Sequence, residues 1–143
     1  MSMPSGEIST AGILHDALAQ GKRVFIPYTY QPSEHREEQP KAIMDMVELQ
    51  STKDFETLEP DKWGIPTPSK ASIPLRVNSF GGKGITDGKQ VETTDESGLD
   101  FIVMPGMAFD CSFGRLGHGK GFYDYFLRRC HDSLRMPFRG KKD

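Results

Sequence analysis

The sequence is short of cysteine and of uninterrupted apolar residues, and each shortage excludes a class of protein. Two cysteines, Cys111 and Cys130, among 143 residues cannot build a disulfide scaffold or a four-thiolate zinc site, and they fit a reducing compartment. No apolar run approaches the roughly 20 residues that cross a bilayer, and residues 1–6 carry neither a basic nor an apolar leader region. Membrane-spanning and secretory readings are set aside, and a cytoplasmic protein is expected, with a mitochondrial pool left open. Charge of one sign is also lacking, since 18 Lys and Arg stand against 20 Asp and Glu. The balance is uneven along the chain: residues 128–143 hold six basic and two acidic side chains, behind an acidic body. Without interleaved aromatics or a reading module, that tail is read as a solvated chain end, not a nucleic-acid contact.

Hydrophobic residues make up 36% of the chain and the mean hydropathy is -0.53, which suits one domain over residues 1–143 with a thin core. Ser9 or Thr10 can cap a helix whose stripe is Ile13, Leu14, Ala17 and Leu18, with Gly21 as its stop. Val24-Phe25-Ile26 reads as a short strand broken by Pro27, and residues 43–49 as a second strand after the charged loop 31–41. Met44 and Met46 share its parity and are read as packing residues. Trp63 to Pro68 holds two prolines and runs over the surface with one large aromatic anchor. Residues 69–98 are glycine-bearing and poor in large apolar groups, as in a long mobile loop; Gly81-Gly82-Lys83-Gly84 within it is treated as a decoy.

Residues 99–104, Leu-Asp-Phe-Ile-Val-Met, give the strongest strand signal and run into Pro105-Gly106. A glycine-dense stretch follows from Gly114 to Gly121, then a helix from about Phe122 to Cys130. There Phe122, Phe126 and Cys130 form one face, and Asp124 is spaced to pair with Arg128. A glycine loop ending at a helix start can present backbone N–H groups and the helix dipole to a phosphate, with Lys120 and Arg115 adding full charges. The spacing approaches a P-loop, but Gly121 stands where a magnesium-binding hydroxyl belongs; Asp124 offers a hard oxygen one turn later. On spacing alone, a plain glycine turn between strand and helix stays open. His15, His131, Cys111 and Cys130 have ordinary surface, loop or packing readings.

Met104-Pro105-Gly106, Ala108-Phe109-Asp110 and the run from Arg115 to Asp124 resemble the signature of the 5-formyltetrahydrofolate cyclo-ligase (5,10-methenyltetrahydrofolate synthetase) family. The resemblance extends to residues 2–8, Phe25-Ile26-Pro27, Met44-Asp45-Met46 and residues 63–68, in family order. It implies an α/β, three-layer sandwich around a mostly parallel, Rossmann-like sheet, incomplete at both termini. It also implies ATP-dependent closure of 5-formyltetrahydrofolate to the methenyl compound by a monomer without nucleic-acid or membrane partners. Phosphorylation turns the formyl oxygen into a leaving group, the neighbouring nitrogen attacks, and phosphate departs.

On that resemblance, Arg115, Leu116, Gly117, His118, Gly119, Lys120, Gly121, Phe122 and Tyr123 are expected at ATP, with Lys120 and Arg115 against its phosphates as the catalytic pair. His118, Gly119, Lys120, Gly121 and Phe122 would also border folate, together with Glu7, Met3 and Trp63, and Asp124 would ligate magnesium. No covalent nucleophile is required, and no Ser-His-Asp or Cys-His arrangement is found in the sequence. Relative to the family pattern, an N-terminal helix with Lys and Arg contacts to ATP is expected to be missing. So are later strands with a second acidic magnesium ligand. The competing expectation is an inactive, truncated remnant that binds folate or nucleotide.

Overall fold

In the computed structural model, which describes residues 8–91 and 97–133, the centre of the fold is one strand that is buried almost throughout. Helix α1 (Ala11–Ala19) leads to strand β1 (Val24–Tyr30), which pairs antiparallel with β2 (Ile43–Leu49) in the register Val24 to Leu49 through Tyr30 to Ile43. Alternation on β2 divides the core. Val47 and Leu49 pack with Leu14 of α1, Ile26 and Ile73, whereas Met44 and Met46 pack with Phe80, Phe126 and Cys130. The helix carrying Phe126 and Cys130, α3 (Phe122–Asp132), thus rests on the methionine side of the strand.

The second edge of β2 is covered by a segment expected to be a polar loop. Glu48 N donates to Val77 O and Ser79 N to Met46 O, and Val47 bridges Asn78. Residues 69–91 contain only one 3-10 turn (Ile73–Leu75), yet they bury Ile73, Arg76, Asn78, Ser79, Phe80 and Thr86. Gly81, Gly82 and Gly84 all have positive φ, which lets the chain double back so that Val77 bridges Lys83. This motif, set aside as a decoy in the sequence, is a backbone turn. Pro27 does not end β1 as expected; it sits inside the strand opposite Met46, tolerated because β1 is the edge of its ladder.

The expected three-layer sandwich around a mostly parallel sheet is contradicted. The described residues form three separate antiparallel two-stranded ladders: β1 with β2, β3 (Glu59–Pro60) with β4 (Pro66–Thr67), and β5 (Ala108–Phe109) with β6 (Arg115–Leu116). A parallel pair needs a crossover, usually helical, of a dozen or more residues; here β1 returns to β2 through a polar loop without a helix. Residues 99–104, the strongest strand signal, join no described ladder. Leu99 and Ile102 pack on the methionine cluster, and Phe101 stays 74% exposed.

Short helix α2 (Thr52–Glu56) is capped by the Ser51 hydroxyl, which accepts from Asp54 N at 3.0 Å. Asp54 then receives both guanidinium nitrogens of the buried Arg76, at 2.6 and 2.8 Å. These hydrogen bonds hold the Asp54 carboxyl below the usual carboxylate range. A depressed carboxylate contributes stability above its unfolded pKa and loses it as pH falls through the folded one. Melting temperature is therefore expected to drop on acidification below about pH 4, with a shallower drop in Asp54→Asn. Phe126, 1% exposed, is the larger test of packing: Phe126→Ala is expected to lose about 3–5 kcal/mol in urea unfolding.

Candidate functional site

The glycine stretch connects a small hairpin to α3, and each end is fixed by a different device. At the hairpin, Asp110 Oδ1 accepts the N–H groups of Ser112 at 2.8 Å and Gly114 at 2.7 Å, closing the turn between β5 and β6. A Cβ on Gly114 would lie 2.4 Å from Asp110 Oδ2, so the turn leaves no room for a side chain there. At the helix, Gly121 occupies the N-cap position in the left-handed region, φ 69°, and Gly119 is left-handed at φ 83°. Gly121 supplies no side-chain cap, so the entry of α3 keeps its dipole end without a capping oxygen.

Arg115 organises the middle of this arrangement. Its Nη1 donates to Pro105 O at 2.8 Å, its Nη2 pairs with Asp124 at 3.0 Å, and its guanidinium lies 5.7 Å from the Tyr123 ring. One side chain therefore ties the Pro105-Gly106 segment, β6 and the first turn of α3. Asp124 pairs with Arg115, not with Arg128 as its spacing suggested. An exposed helix pair contributes only a few tenths of a kcal/mol, whereas the largely buried Arg115 must find acceptors. The Asp124 side chain remains 75% exposed, with an oxygen available outward.

Trp63 approaches from elsewhere in the chain. It sits at the tip of the β3–β4 hairpin, where Asp61 Oδ1 accepts from Trp63 N and Ile65 N at 2.8 and 3.0 Å, and Gly64 takes a φ of 75°. The residue is 56% exposed, which excludes a core anchor, and its ring lies 5.4 Å from Lys120 Nζ and 5.5 Å from Lys62 Nζ. Leu116, His118 and Lys120 are exposed, and Gly117, Phe122 and Tyr123 are half-buried around the same loop. Met3 and Glu7 lie outside the described residues. Among the described residues no three His, Cys, Asp or Glu side chains gather as a metal cluster. Asp124 alone suits the chemistry of magnesium, which takes one or two carboxylates and completes its shell with phosphate and water.

Two residues that anchor the hairpin turn and α3 have no such role in the sequence reading. Asp110 was legible, because Asp followed four residues later by Gly in a polar stretch is a side-chain-closed turn. Arg129 was not: its partner Asp45 is 84 residues away and no local pattern links them.

A glycine loop held between a hairpin and a helix start, with cations on its rim, belongs to a ligase family in this case. The model of the 5-formyltetrahydrofolate cyclo-ligase family matches residues 1–139, and the chain belongs to that family. The 5-formyltetrahydrofolate cyclo-ligase of Mus musculus is 34% identical over 124 residues, covering 87% of this chain and 49% of the mouse protein. Probable 5-formyltetrahydrofolate cyclo-ligases of Schizosaccharomyces pombe and Caenorhabditis elegans are 33% and 35% identical, over 90% and 89% of this chain and half of each relative. The chain thus spans about half the length of the curated relatives it matches. No described helix is long and apolar enough to cross a membrane.

The left-handed entry of α3 makes a direct prediction. Gly121→Ala should lose about 1 kcal/mol, because a Cβ resists positive φ. Gly12→Ala, inside α1 with nothing within 4 Å of the added carbon, should instead gain about 0.5–1 kcal/mol. Thermal melting of the two variants beside the parent checks both signs.

Proposed function

We propose that this chain carries the nucleotide- and folate-facing loop of a 5-formyltetrahydrofolate cyclo-ligase, acting as a monomer in the cytoplasm on 5-formyltetrahydrofolate and ATP. The observation that carries the reading is the meeting of two distant segments: the exposed ammonium of Lys120 on the glycine loop and the exposed indole of Trp63 stand 5.4 Å apart. A phosphate needs cations and N–H donors, and a flat heteroaromatic ring needs an apolar face. Both kinds of group line one rim.

In this reading Lys120 neutralises charge on the transferring phosphoryl group, and the N–H groups at the start of α3 orient its oxygens. Arg115 holds the loop against Pro105 and Asp124 and lends its charge to the same region. Leu116 to Tyr123 border ATP; His118 and Phe122 also border the pterin beside Trp63, and the family resemblance alone assigns Glu7 and Met3, which lie outside the described residues, to the substrate. Magnesium, held through Asp124, would supply charge neutralisation on the phosphates. Transfer of the γ-phosphoryl group to the formyl oxygen gives ADP and makes that oxygen a phosphate leaving group. Attack by the neighbouring folate nitrogen expels phosphate and closes the ring. The protein's part is orientation and electrostatics, so no residue is needed as a covalent nucleophile. A related protein of Arabidopsis thaliana bears the name 5-formyltetrahydrofolate cyclo-ligase, mitochondrial, which keeps an organellar pool in view.

Methenyl product formation, followed by its near-ultraviolet absorbance, tests the reading. Product is expected only with both magnesium and ATP, and Lys120→Ala is expected to lower kcat/KM by about a hundredfold or more while leaving the melting temperature nearly unchanged. Folded protein that makes no product above a no-enzyme control contradicts it.

A further inference from the structure

At the other end of α3 lies a second polar cluster that the loop chemistry does not use. Asp45 of β2 is fully buried, and its carboxylate accepts from Arg129 Nη1 at 2.9 Å, Thr86 N at 2.6 Å, Thr86 Oγ1 at 3.1 Å, Asn78 Nδ2 at 3.1 Å and Tyr30 Oη at 3.0 Å. Arg129 projects from α3, and its side chain is 12% exposed. Its Nη1 also donates to Met44 O at 3.2 Å, its Nη2 donates to the Thr86 hydroxyl, and its guanidinium stacks 4.5 Å from the Phe80 ring. Three N–H groups of the fork, two on Nη1 and one on Nη2, are therefore matched to fixed partners on β2 or on the 77–88 segment.

Phe126 and Cys130 hold α3 to the core by packing, which is non-directional and leaves a helix free to slide or turn by small amounts. Arg129 removes that freedom. It stands seven residues from Phe122, about 10 Å along the axis, so a shift at Arg129 is carried to the glycine loop by the helix itself. The Arg115–Asp124 pair couples the loop to the same first turn, so Lys120, Asp124 and Arg115 move with α3 as one body.

We propose that Arg129, locked against Asp45 and Thr86, is a positioning residue that sets the register of α3 and thereby of the phosphate-facing loop at its start. The inference rests on the nucleotide-site reading above and adds to it a device more than a helical turn away from any ligand. Thr86, in a segment that the sequence presents as a plain polar loop, then acts on nucleotide binding without touching it.

The test is MgATP affinity of the full chain, measured by calorimetry, beside melting temperature. Arg129→Lys keeps one charge against Asp45 but loses the fork, and is expected to weaken MgATP binding about tenfold. Thr86→Val, which removes the hydroxyl between the two charged groups, is expected to weaken it about fivefold, whereas Thr86→Ser keeps it within about twofold of the parent. Leu14→Ala, in the cluster on α1's side, serves as the purely structural control: with a similar or larger loss of melting temperature it should bind MgATP within about twofold of the parent. Parent-like affinity in both Arg129→Lys and Thr86→Val, or an equal loss of affinity in Leu14→Ala, overturns the positioning role. If Arg129→Lys does not fold, the contrast between Thr86→Val and Thr86→Ser decides. Folded parent protein that gives no heat with MgATP overturns the nucleotide-site reading itself, and this inference with it.

Discussion

A carboxylate with no access to water is the constraint around which this chain is arranged. Burying the Asp45 charge without partners would cost several kcal/mol, so the fold must bring donors to it. They come from three directions: Tyr30 from β1, Asn78 and Thr86 from the long segment after the 3-10 turn, and Arg129 from α3. Burial and the neighbouring Asp45 carboxylate push the Tyr30 phenol far above its ordinary range, so the hydroxyl stays a donor. Apolar packing on both sides of β2 supplies the drive to collapse, and the carboxylate selects which collapsed arrangement satisfies its lone pairs.

The two ends of α3 answer to different demands. Its C-terminal half turns a buried face to the core: Phe126 and Cys130 are buried, burial pushes the Cys130 thiol up to about 11, and Arg129 spends three N–H groups on Met44, Asp45 and Thr86. Its N-terminal end has an uncapped glycine entry, an exposed Asp124 and an exposed lysine beside an exposed indole. Rigidity at one end and open hydrogen-bonding capacity at the other is the arrangement expected when a helix carries a site without being spent in holding it. At that N-terminal end Arg115 is largely buried yet reaches the exposed carboxylate of Asp124.

How much of this could be read from residues follows the range of each interaction. The spacing of Phe122, Phe126 and Cys130 marked α3, and the parity of Met44 and Met46 marked the core face of β2, because both signals are local. Pairing direction was not legible: apolar alternation in residues 24–30 and 43–49 is the same for parallel and antiparallel ladders, so the expected parallel sheet had no residue-level support. The strand-like residues 99–104 carry the right side chains, but pairing needs a partner that no local pattern supplies. In residues 69–91 low apolar content concealed burial, since Arg76, Asn78 and Thr86 are buried through hydrogen bonds and not through hydrophobicity. The glycine run stood out in the sequence by its density, while the contact that ties α3 to β2, Arg129 on Asp45, joins residues 84 positions apart.

Amide chemical shifts during an MgATP titration test the central claim most directly, because they locate the ligand residue by residue. The account predicts the largest shifts at Gly117, Gly119, Lys120 and Gly121 and in the first turn of α3. It predicts smaller shifts along the helix toward Arg129 and none in the α1 cluster around Leu14 and Val47. Shifts centred elsewhere, or none in folded protein at saturating MgATP, would contradict it.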